Sequence, residues 1–436
     1  QQAGRVGRRG DRAIIVFAAR DTPIDQYLVH HPEFVSSAPI ERAWINAENP
    51  YILLQHLPCA AHEHPLRPDE PVFKEPAYSA AKDVLKEDGT LKEYHGNYRY
   101  ALRDYPAKGV NLRGMTDYNI EIYRGTEVIG ELDPIGARGT LYKDAIYQHL
   151  GQRFMSMDLD LEKKLCRVDP VDVDYYTEAV WESRVTLTES LDRYVLRQAP
   201  LEFGFVNVNR QPKLYKKIRE RTLENIGYGP ITLDPFIYDT TGFSLYPPDR
   251  WRRRMEDVDK RHVGAALYGL SYILKRTAPS LCLGDIENIE TDVSLTEKDD
   301  SNWYSALYLY DTIEGGVGYA EKIFEIFEEA LQLCMAIIDQ CPCAAGCPSC
   351  VTALPPGVAE EELEQLLVES DASVACTRSL LTVLLTGEIV HPKITHHAIE
   401  SSEGIEPPEP DPELERMKQR LGKASRLLQV KRARTH

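Results

Sequence analysis

The sequence predicts an α+β protein built from several domains, and three observations support this fold class. The chain has 436 residues, more than one hydrophobic core usually organises. Stretches with helical spacing of apolar residues and stretches with strand-like alternation occupy separate regions of the chain. Four of the nine cysteines lie within Cys341–Cys350, which indicates a metal-stabilised unit towards the C-terminal end.

Composition excludes some classes of protein. Hydrophobic residues make up 43% and charged residues 27% of the chain, which is typical of a water-soluble globular protein. No apolar stretch approaches the roughly 20 residues of a membrane span, and no signal peptide is recognisable, so we expect a cytoplasmic protein without a membrane partner.

The net charge of −17 argues against a surface that is basic all over. It still allows a local basic groove for nucleic acid. Basic islands occur at Tyr215–Leu223, Arg250–His262 and Lys423–His436, and the first two are interpreted as solvated helix faces.

The first quarter of the chain divides into two predicted regions. Residues 1–21 contain a glycine-rich loop and one predicted buried strand over Ala13–Arg20. Residues 22–109 contain two predicted helices and a hairpin with Gly-Asn at its turn, over Asn49–Leu66, Tyr78–Gly89 and Thr90–Leu102. Helices followed by a small hairpin indicate a winged helix. Its candidate DNA contacts are Lys82 and Lys86 on the second helix and Lys92 on the wing.

Three further regions follow. Strand patterns dominate residues 110–260, and helical patterns dominate residues 261–400. Within the latter, "EGGVG" (Glu314–Gly318) is either a phosphate-binding nest or a tight turn between a strand and a helix. Residues 401–436 are predicted to form a Pro/Glu-rich linker and a basic tail.

The cysteine cluster carries the strongest chemical signal. Cys341, Cys343, Cys347 and Cys350 have the spacing C-x-C-x3-C-x2-C, and prolines and a glycine between them fold the segment back on itself. Thiolates are soft ligands, and four of them form a closed tetrahedral site for a structural Zn²⁺. An iron–sulfur cluster is the alternative, since it also takes four thiolates. We expect one metal site per chain, and we interpret the other five cysteines as core residues.

The first residues, "QQAGRVGRRG", place arginines beside glycines. Arginine offers a permanently charged planar fork to a γ-phosphate, and glycine allows a close backbone approach. The pattern Q-x-x-G-R-x-G-R resembles motif VI of superfamily 2 helicases, in their second RecA-like domain. The resemblance implies that Arg8 is the arginine finger and that Arg5 and Gln1 contact ATP.

Several further segments occur in an order that strengthens this resemblance: "ARDTPIDQYLVHHPEFV", "NPYILLQHLPCAAHEHPL", "DAIYQHLGQRF", "VDVDYYT", "YDTIEGGVGYAEKIFE" and "CPCAAGCPSC". From Gln1 to about Val351, the chain resembles the C-terminal half of bacterial DNA-repair helicases of the mitomycin repair factor A type. The resemblance implies a remnant of a RecA-like domain in residues 1–21, a winged helix and a four-cysteine zinc domain. It also implies ATP-driven 3′→5′ movement on single-stranded or partly duplex DNA, with ATP and Mg²⁺ bound by the full-length parent.

The sequence departs from this pattern in two ways. It contains neither G-x-x-x-x-G-K-[ST] nor an Asp-Glu-x-His box, so we expect no ATP hydrolysis by this chain alone and a helicase motor upstream in the parent. After Cys350 the expected Cys-Gly-Asn turn is replaced by "VTALPPG", which leaves the role of Cys376 open. The alternative function is a zinc-containing nucleic-acid-binding or assembly subunit of an anti-phage defence complex.

Overall fold

The structure is a computed structural model of the chain. The residues that it describes are 14–20, 22–36, 44–110, 118–222, 224–259, 261–298, 302–343, 346–351 and 370–392. Gln1, Arg5 and Arg8 lie outside these residues, as do the predicted linker and tail over 401–436. No helix among the described residues is long and apolar enough to cross a lipid bilayer.

The apolar run at the start of the described chain is not a buried strand. Residues 14–20 have no regular secondary structure, and Ile14 and Val16 are 89% and 82% exposed. The expectation of a buried strand over Ala13–Arg20 is therefore wrong for the part that the structure describes. A strand needs neighbouring strands to take up its backbone hydrogen bonds, and no described strand pairs with this segment.

Two short helices follow, α1 (Pro23–His30) and α2 (Pro32–Ser36). Thr22 caps α1, because its hydroxyl accepts the Asp25 N–H at 3.4 Å. Tyr27 packs against the largest apolar core, so α1 is attached to the C-terminal part of the chain.

The winged helix is present. Helices α3 (Pro50–Glu63) and α4 (Pro76–Glu87) precede the antiparallel strands β1 (Leu91–Tyr94) and β2 (Asn97–Tyr100). These elements share one apolar core, which includes Leu53, Leu57, Leu85, Leu91 and Tyr98.

The hairpin turn of the winged helix lies one residue earlier than the sequence predicts. His95 and Gly96 form it, with φ values of 51° and 78°. Positive φ at both central residues is what a two-residue turn needs to match the twist of its strands. Gly96 therefore takes the second turn position, and Asn97 begins β2.

A small sheet follows, with strand order β4-β3-β7-β6-β5. Only the β3–β7 pair is parallel among its described strands. Helix α5 interrupts the strands after β4. The elements are β3 (Ile120–Arg124), β4 (Glu127–Leu132), α5 (Pro134–Thr140), β5 (Ile146–His149), β6 (Gln152–Asp160) and β7 (Leu165–Pro170).

A larger sheet has the order β10-β9-β11-β13-β12, with β8 paired to β9. Its strands are β8 (Tyr175–Leu196), β9 (Ala199–Arg219), β10 (Asn225–Pro230), β11 (Phe236–Leu245), β12 (Ile289–Lys298) and β13 (Asn302–Asp311). Strands β8 and β9 form one long antiparallel hairpin. The basic island over Tyr215–Leu223, expected on a helix, is instead the end of β9 up to Arg219, because its residues pair with β8 and β10.

Helices cover one face of the larger sheet. They are α6 (Asp249–Glu256), α7 (Arg261–Cys282), α8 (Tyr319–Glu325), α9 (Phe327–Gln340) and α10 (Ser370–Thr386). Helix α7 packs on β12 and β13 and also on α9 and α10, so it lies at the centre of the largest core. Since β12 and β13 join the sheet of β8–β11, this sheet continues beyond residue 260, where the sequence predicts a change to a helical region.

Candidate metal centre and its surroundings

Four cysteine sulfurs converge just beyond helix α9. The Cys341 N–H donates to the Ile337 carbonyl at 3.1 Å, so the first cysteine continues directly from the last helical turn. The Sγ–Sγ distances are 3.3 Å for Cys341–Cys343, 3.5 Å for Cys341–Cys347, 3.3 Å for Cys343–Cys350 and 3.8 Å for Cys347–Cys350. All four sulfurs lie within 4.8 Å of one another.

This spacing fits one tetrahedral ion. With Zn–S bonds of ~2.3 Å, the sulfurs of a regular tetrahedron are ~3.8 Å apart, close to the four distances found here. A cubane iron–sulfur cluster attaches each cysteine to a different iron and so spreads the sulfurs around the cluster. The spacing therefore fits zinc better than such a cluster.

The backbone of the loop requires glycine at one position. Gly346 has a φ of 106°, and a Cβ there would lie 2.4 Å from the Val351 carbonyl oxygen. The Cys350 N–H donates to the Cys347 carbonyl at 3.0 Å, which closes the last turn of the loop. Positive φ at Gly346 thus lets the chain reverse between the first and second pairs of cysteines.

Helix α7 holds this loop from one side. The Tyr272 hydroxyl donates to the Pro348 carbonyl at 2.7 Å, and the Arg276 guanidinium lies 3.5 Å from the centre of the Tyr272 ring. One turn earlier, a Cβ at Gly269 would lie 2.8 Å from Val351 Cγ1 and 2.0 Å from Thr377 Oγ1. The absence of a side chain at Gly269 therefore lets α7 approach both the metal loop and α10.

The protonation of the thiols links metal binding to pH. Burial raises the pKa of Cys343 to about 11 and also raises that of Cys350. A metal ion binds the thiolate form, so binding must displace protons and weakens in acid.

The remaining cysteines lie outside the cluster. Cys166, Cys282, Cys334 and Cys376 are buried, and Cys59 is half-buried on α3. Cys376, whose role the sequence leaves open, lies on α10 in the largest core. Burial raises its pKa to about 12, which suits a thiol that packs as an apolar side chain.

The glycine loop, residues 314–318, does not offer its amides to a phosphate, because a buried carboxylate of the protein already accepts from them. Asp311, at the end of β13, accepts the N–H groups of Val317, Gly318 and Ala320 at 2.7, 2.8 and 2.9 Å. Burial raises the pKa of Asp311 to about 6 despite these three bonds. The sequence suggested a nest or a tight turn; the structure shows a tight turn organised by Asp311, which sequence analysis missed.

Asn49 joins the winged helix to this glycine loop. Its Oδ1 accepts the Tyr51 and Ile52 N–H groups at 2.9 and 3.2 Å and so caps α3. Its Nδ2 donates to the carbonyls of Glu314 and Gly316 at 3.1 and 2.6 Å. The side chain is fully buried. The sequence indicated the cap, but not the second pair of bonds.

The three predicted DNA-contacting lysines lie in different surroundings. The Lys82 ammonium lies 5.5 Å from the Tyr98 ring centre and 3.4 Å from Asp83, with 16% of the side chain exposed. Lys86 lies 5.0 Å from the same ring and 3.8 Å from Glu93. Lys92, on β1, is exposed. Among the described ion pairs and ring contacts none involves Lys92, so its ammonium group is the freest of the three to meet a phosphate.

Two family models match the regions described above. Residues 45–115 match the winged helix domain of the ATP-dependent helicase HRQ1. Residues 270–351 match the MrfA Zn-binding domain, and this range contains all four clustered cysteines.

Full-length relatives agree with these matches. The chain is 34% identical over 373 residues to the uncharacterized ATP-dependent helicase YprA of Bacillus subtilis (strain 168), covering 84% of this chain and 49% of the relative. It is 25% identical over 385 residues to the ATP-dependent helicase HRQ1 of Saccharomyces cerevisiae, covering 81% of this chain and 34% of the relative. The chain is a homologue of these helicases. It spans about half the length of the bacterial relative.

Solved structures extend the similarity to three dimensions. The crystal structure of the DUF1998 helicase MrfA has a TM-score of 0.54 at 29% identity, covering 84% of this chain and 50% of that one. MrfA bound to DNA gives a TM-score of 0.50 at 34% identity, covering 79% and 46%. The resemblance to mitomycin repair factor A helicases is thereby confirmed, as are the α+β multidomain class and the winged helix.

Proposed function

We propose that this chain is the accessory part of an ATP-dependent 3′→5′ DNA helicase or translocase that acts in DNA repair. In this proposal it binds single-stranded or partly duplex DNA and carries one structural zinc ion. The observation that carries the proposal is the four-sulfur tetrahedron inside the region that matches the MrfA Zn-binding domain.

The proposed zinc ligands are Cys341, Cys343, Cys347 and Cys350. Four thiolates close the coordination sphere and leave no position for an activated water, so the role is structural. Zinc would join the four cysteines that follow α9 and hold them against Tyr272 of α7. Binding of the ion is then coupled to the stability of α7 and α9.

The proposed nucleotide contacts are Gln1, Arg5 and Arg8, which would face the ATP that the helicase motor of the parent protein binds. Arginine forks suit a γ-phosphate. The sequence has no phosphate-binding G-x-x-x-x-G-K-[ST] loop, so we expect this chain alone to hydrolyse no ATP.

Two measurements test the DNA and ATP parts of the proposal. Fluorescence anisotropy with labelled single-stranded DNA should show weak binding that decreases steeply with salt, and Lys92→Gln should weaken it more than Lys143→Gln, an exposed lysine outside the winged helix. Mg²⁺-dependent ATP turnover by this chain, or tight binding unaffected by salt, would contradict the proposal.

Elemental analysis tests the metal. We expect about one zinc per chain and its loss in Cys347→Ser but not in Cys59→Ser, which alters a cysteine outside the cluster. A brown protein that contains iron and sulfide would instead support the iron–sulfur alternative.

A further inference from the structure

A cavity of about 390 Å³ is lined by three arginines, Arg197, Arg250 and Arg254. Its remaining lining comes from Gln198, Pro248 and the end of α10 with the residues that follow it. It shares no lining residue with the metal centre. We call it the arginine pocket.

Helix α6 directs two of these arginines into the pocket. Trp251 and Met255 are fully buried, and the Trp251 indole N–H donates to the Ser379 hydroxyl of α10 at 3.0 Å. Arg250 and Arg254 precede these anchors by one residue each and therefore share the adjacent face of the helix. Because the anchors are fixed in the core, Arg250 and Arg254 are held one helical turn apart, where both line the pocket.

These two arginines have no acidic partner in the part of the chain that the structure describes. Arg252, between them, bonds to Glu256 at 2.9 Å and to Asp249 at 3.3 Å, whereas no hydrogen bond or ion pair of the described residues involves the side chain of Arg250 or Arg254. Like charges four residues apart on a helix destabilise it. An anion between the two guanidinium groups would remove that repulsion.

The third arginine lies in the two-residue turn between β8 and β9. Arg197 and Gln198 have φ values of 49° and 74°, the geometry that a two-residue hairpin turn requires. The Arg197 guanidinium also donates to Glu328 at 2.8 Å, which fixes the side chain at the wall of the cavity.

The local charge of the pocket is opposite to that of the whole chain. Its lining contains three arginines and one carboxylate, Glu388, while the chain carries a net charge of −17. Arg253, on α6 next to Arg254, is also exposed. A polyanion that extends beyond the cavity would therefore have a further cation to contact, which a single phosphate ion would not.

We infer that the arginine pocket binds a backbone phosphate of single-stranded DNA. Planar guanidinium forks bind phosphate oxygens in pairs, and exposed Arg253 beside them can contact the next phosphate of the strand. This inference rests on the proposed DNA-binding function and locates one of its contacts outside the winged helix.

The test compares Arg254→Gln and the double variant Arg250→Gln/Arg254→Gln with Arg184→Gln, an exposed arginine of β8 that does not line the pocket. We expect the double variant to bind single-stranded DNA about tenfold more weakly, as loss of a charge-assisted bond predicts. The salt dependence, the slope of log K against log salt concentration, should fall by roughly 0.7 for each phosphate that the variant no longer neutralises. Arg184→Gln should behave like the wild type.

Two further arms identify the ligand. On an oligonucleotide with neutral methylphosphonate linkages, the wild type and the double variant should bind equally. If the double variant binds normal DNA as tightly as the wild type, the pocket assignment is wrong although the proposed function stands. If calorimetry shows that the double variant loses binding of inorganic phosphate while its binding of DNA is unchanged, the ligand is a free phosphate and the backbone assignment is wrong. A wild-type chain that binds no DNA would overturn both proposals.

Discussion

Asn49 provides a quantitative test of how the winged helix is attached to the rest of the chain. Its amide caps α3 through two N–H groups and donates to two carbonyls of the glycine loop. Replacing an Asn cap by Ala costs about 1 kcal/mol, and each of the two loop bonds contributes about 1 kcal/mol. Asn49→Ala should therefore destabilise the contact by about 3 kcal/mol in total.

Asp133→Ala is the matched control. Asp133 caps α5 in the same way, accepting the N–H groups of Ile135 and Gly136 at 3.0 and 2.9 Å. None of the hydrogen bonds of the described residues joins its side chain to the glycine loop. The control should cost about 1 kcal/mol, so the difference of about 2 kcal/mol measures the loop bonds.

Hydrogen exchange followed by mass spectrometry separates the two effects. Asn49→Ala should increase exchange by about 100-fold, both in the first turn of α3 and in residues 314–318. Asp133→Ala should affect only α5. The reasoning is wrong if Asn49→Ala leaves residues 314–318 as protected as in the wild type.

Three further predictions concern the metal loop and Asp311. Gly346→Ala should reduce the zinc content, because its Cβ would lie 2.4 Å from the Val351 carbonyl oxygen. Gly109→Ala, which has open space at its Cβ, should not, and an equal zinc content in both variants would contradict the steric argument. Removing zinc with a chelator should lower the melting temperature, and a melting temperature that does not change would rule out a structural role. The ion should be released more readily at pH 5 than at pH 8, since protons compete with it for the thiolates. The pKa of Asp311 is about 6 in the folded chain against a usual 3.8, so between pH 6 and pH 4 the folded form takes up a proton that the unfolded form does not, and acidification over this range should favour folding at this site. Asp311→Asn should remove that part of the pH dependence of the hydrogen-exchange protection of residues 314–320. A pH profile of protection that is unchanged in the variant would contradict the prediction.

Features encoded locally could be predicted from the sequence. Asn49 before Pro50 marks the start of a helix, and the cysteine spacing with Gly346 indicates a metal loop, because a cap or a chelating turn depends on residues close in sequence. The winged helix follows from two helices and a hairpin of this kind.

Features that depend on distant partners could not be predicted. Lys216 lies on a strand because β8 places Glu178 opposite it, and the local run of basic residues gives no indication of that pairing. Asp311 ends a strand in a common way, yet its carboxylate organises a loop that also contacts a domain more than 200 residues away in sequence. Both depend on how the sheets and helices pack, which no short pattern records.

The β8–β9 hairpin has a mechanical consequence. Its strands contain 22 and 21 residues, whereas strands usually contain about 5 or 6. Near its base, the Ile146 N–H donates to Thr177 at 2.8 Å and Arg153 bonds to Glu220 at 2.6 Å; at its tip, Arg197 bonds to Glu328. A pull on the tip is carried by the covalent backbones of both strands, while the ladder of hydrogen bonds between them resists bending of the hairpin. A displacement of the tip would therefore reach the small sheet that is bound at the base.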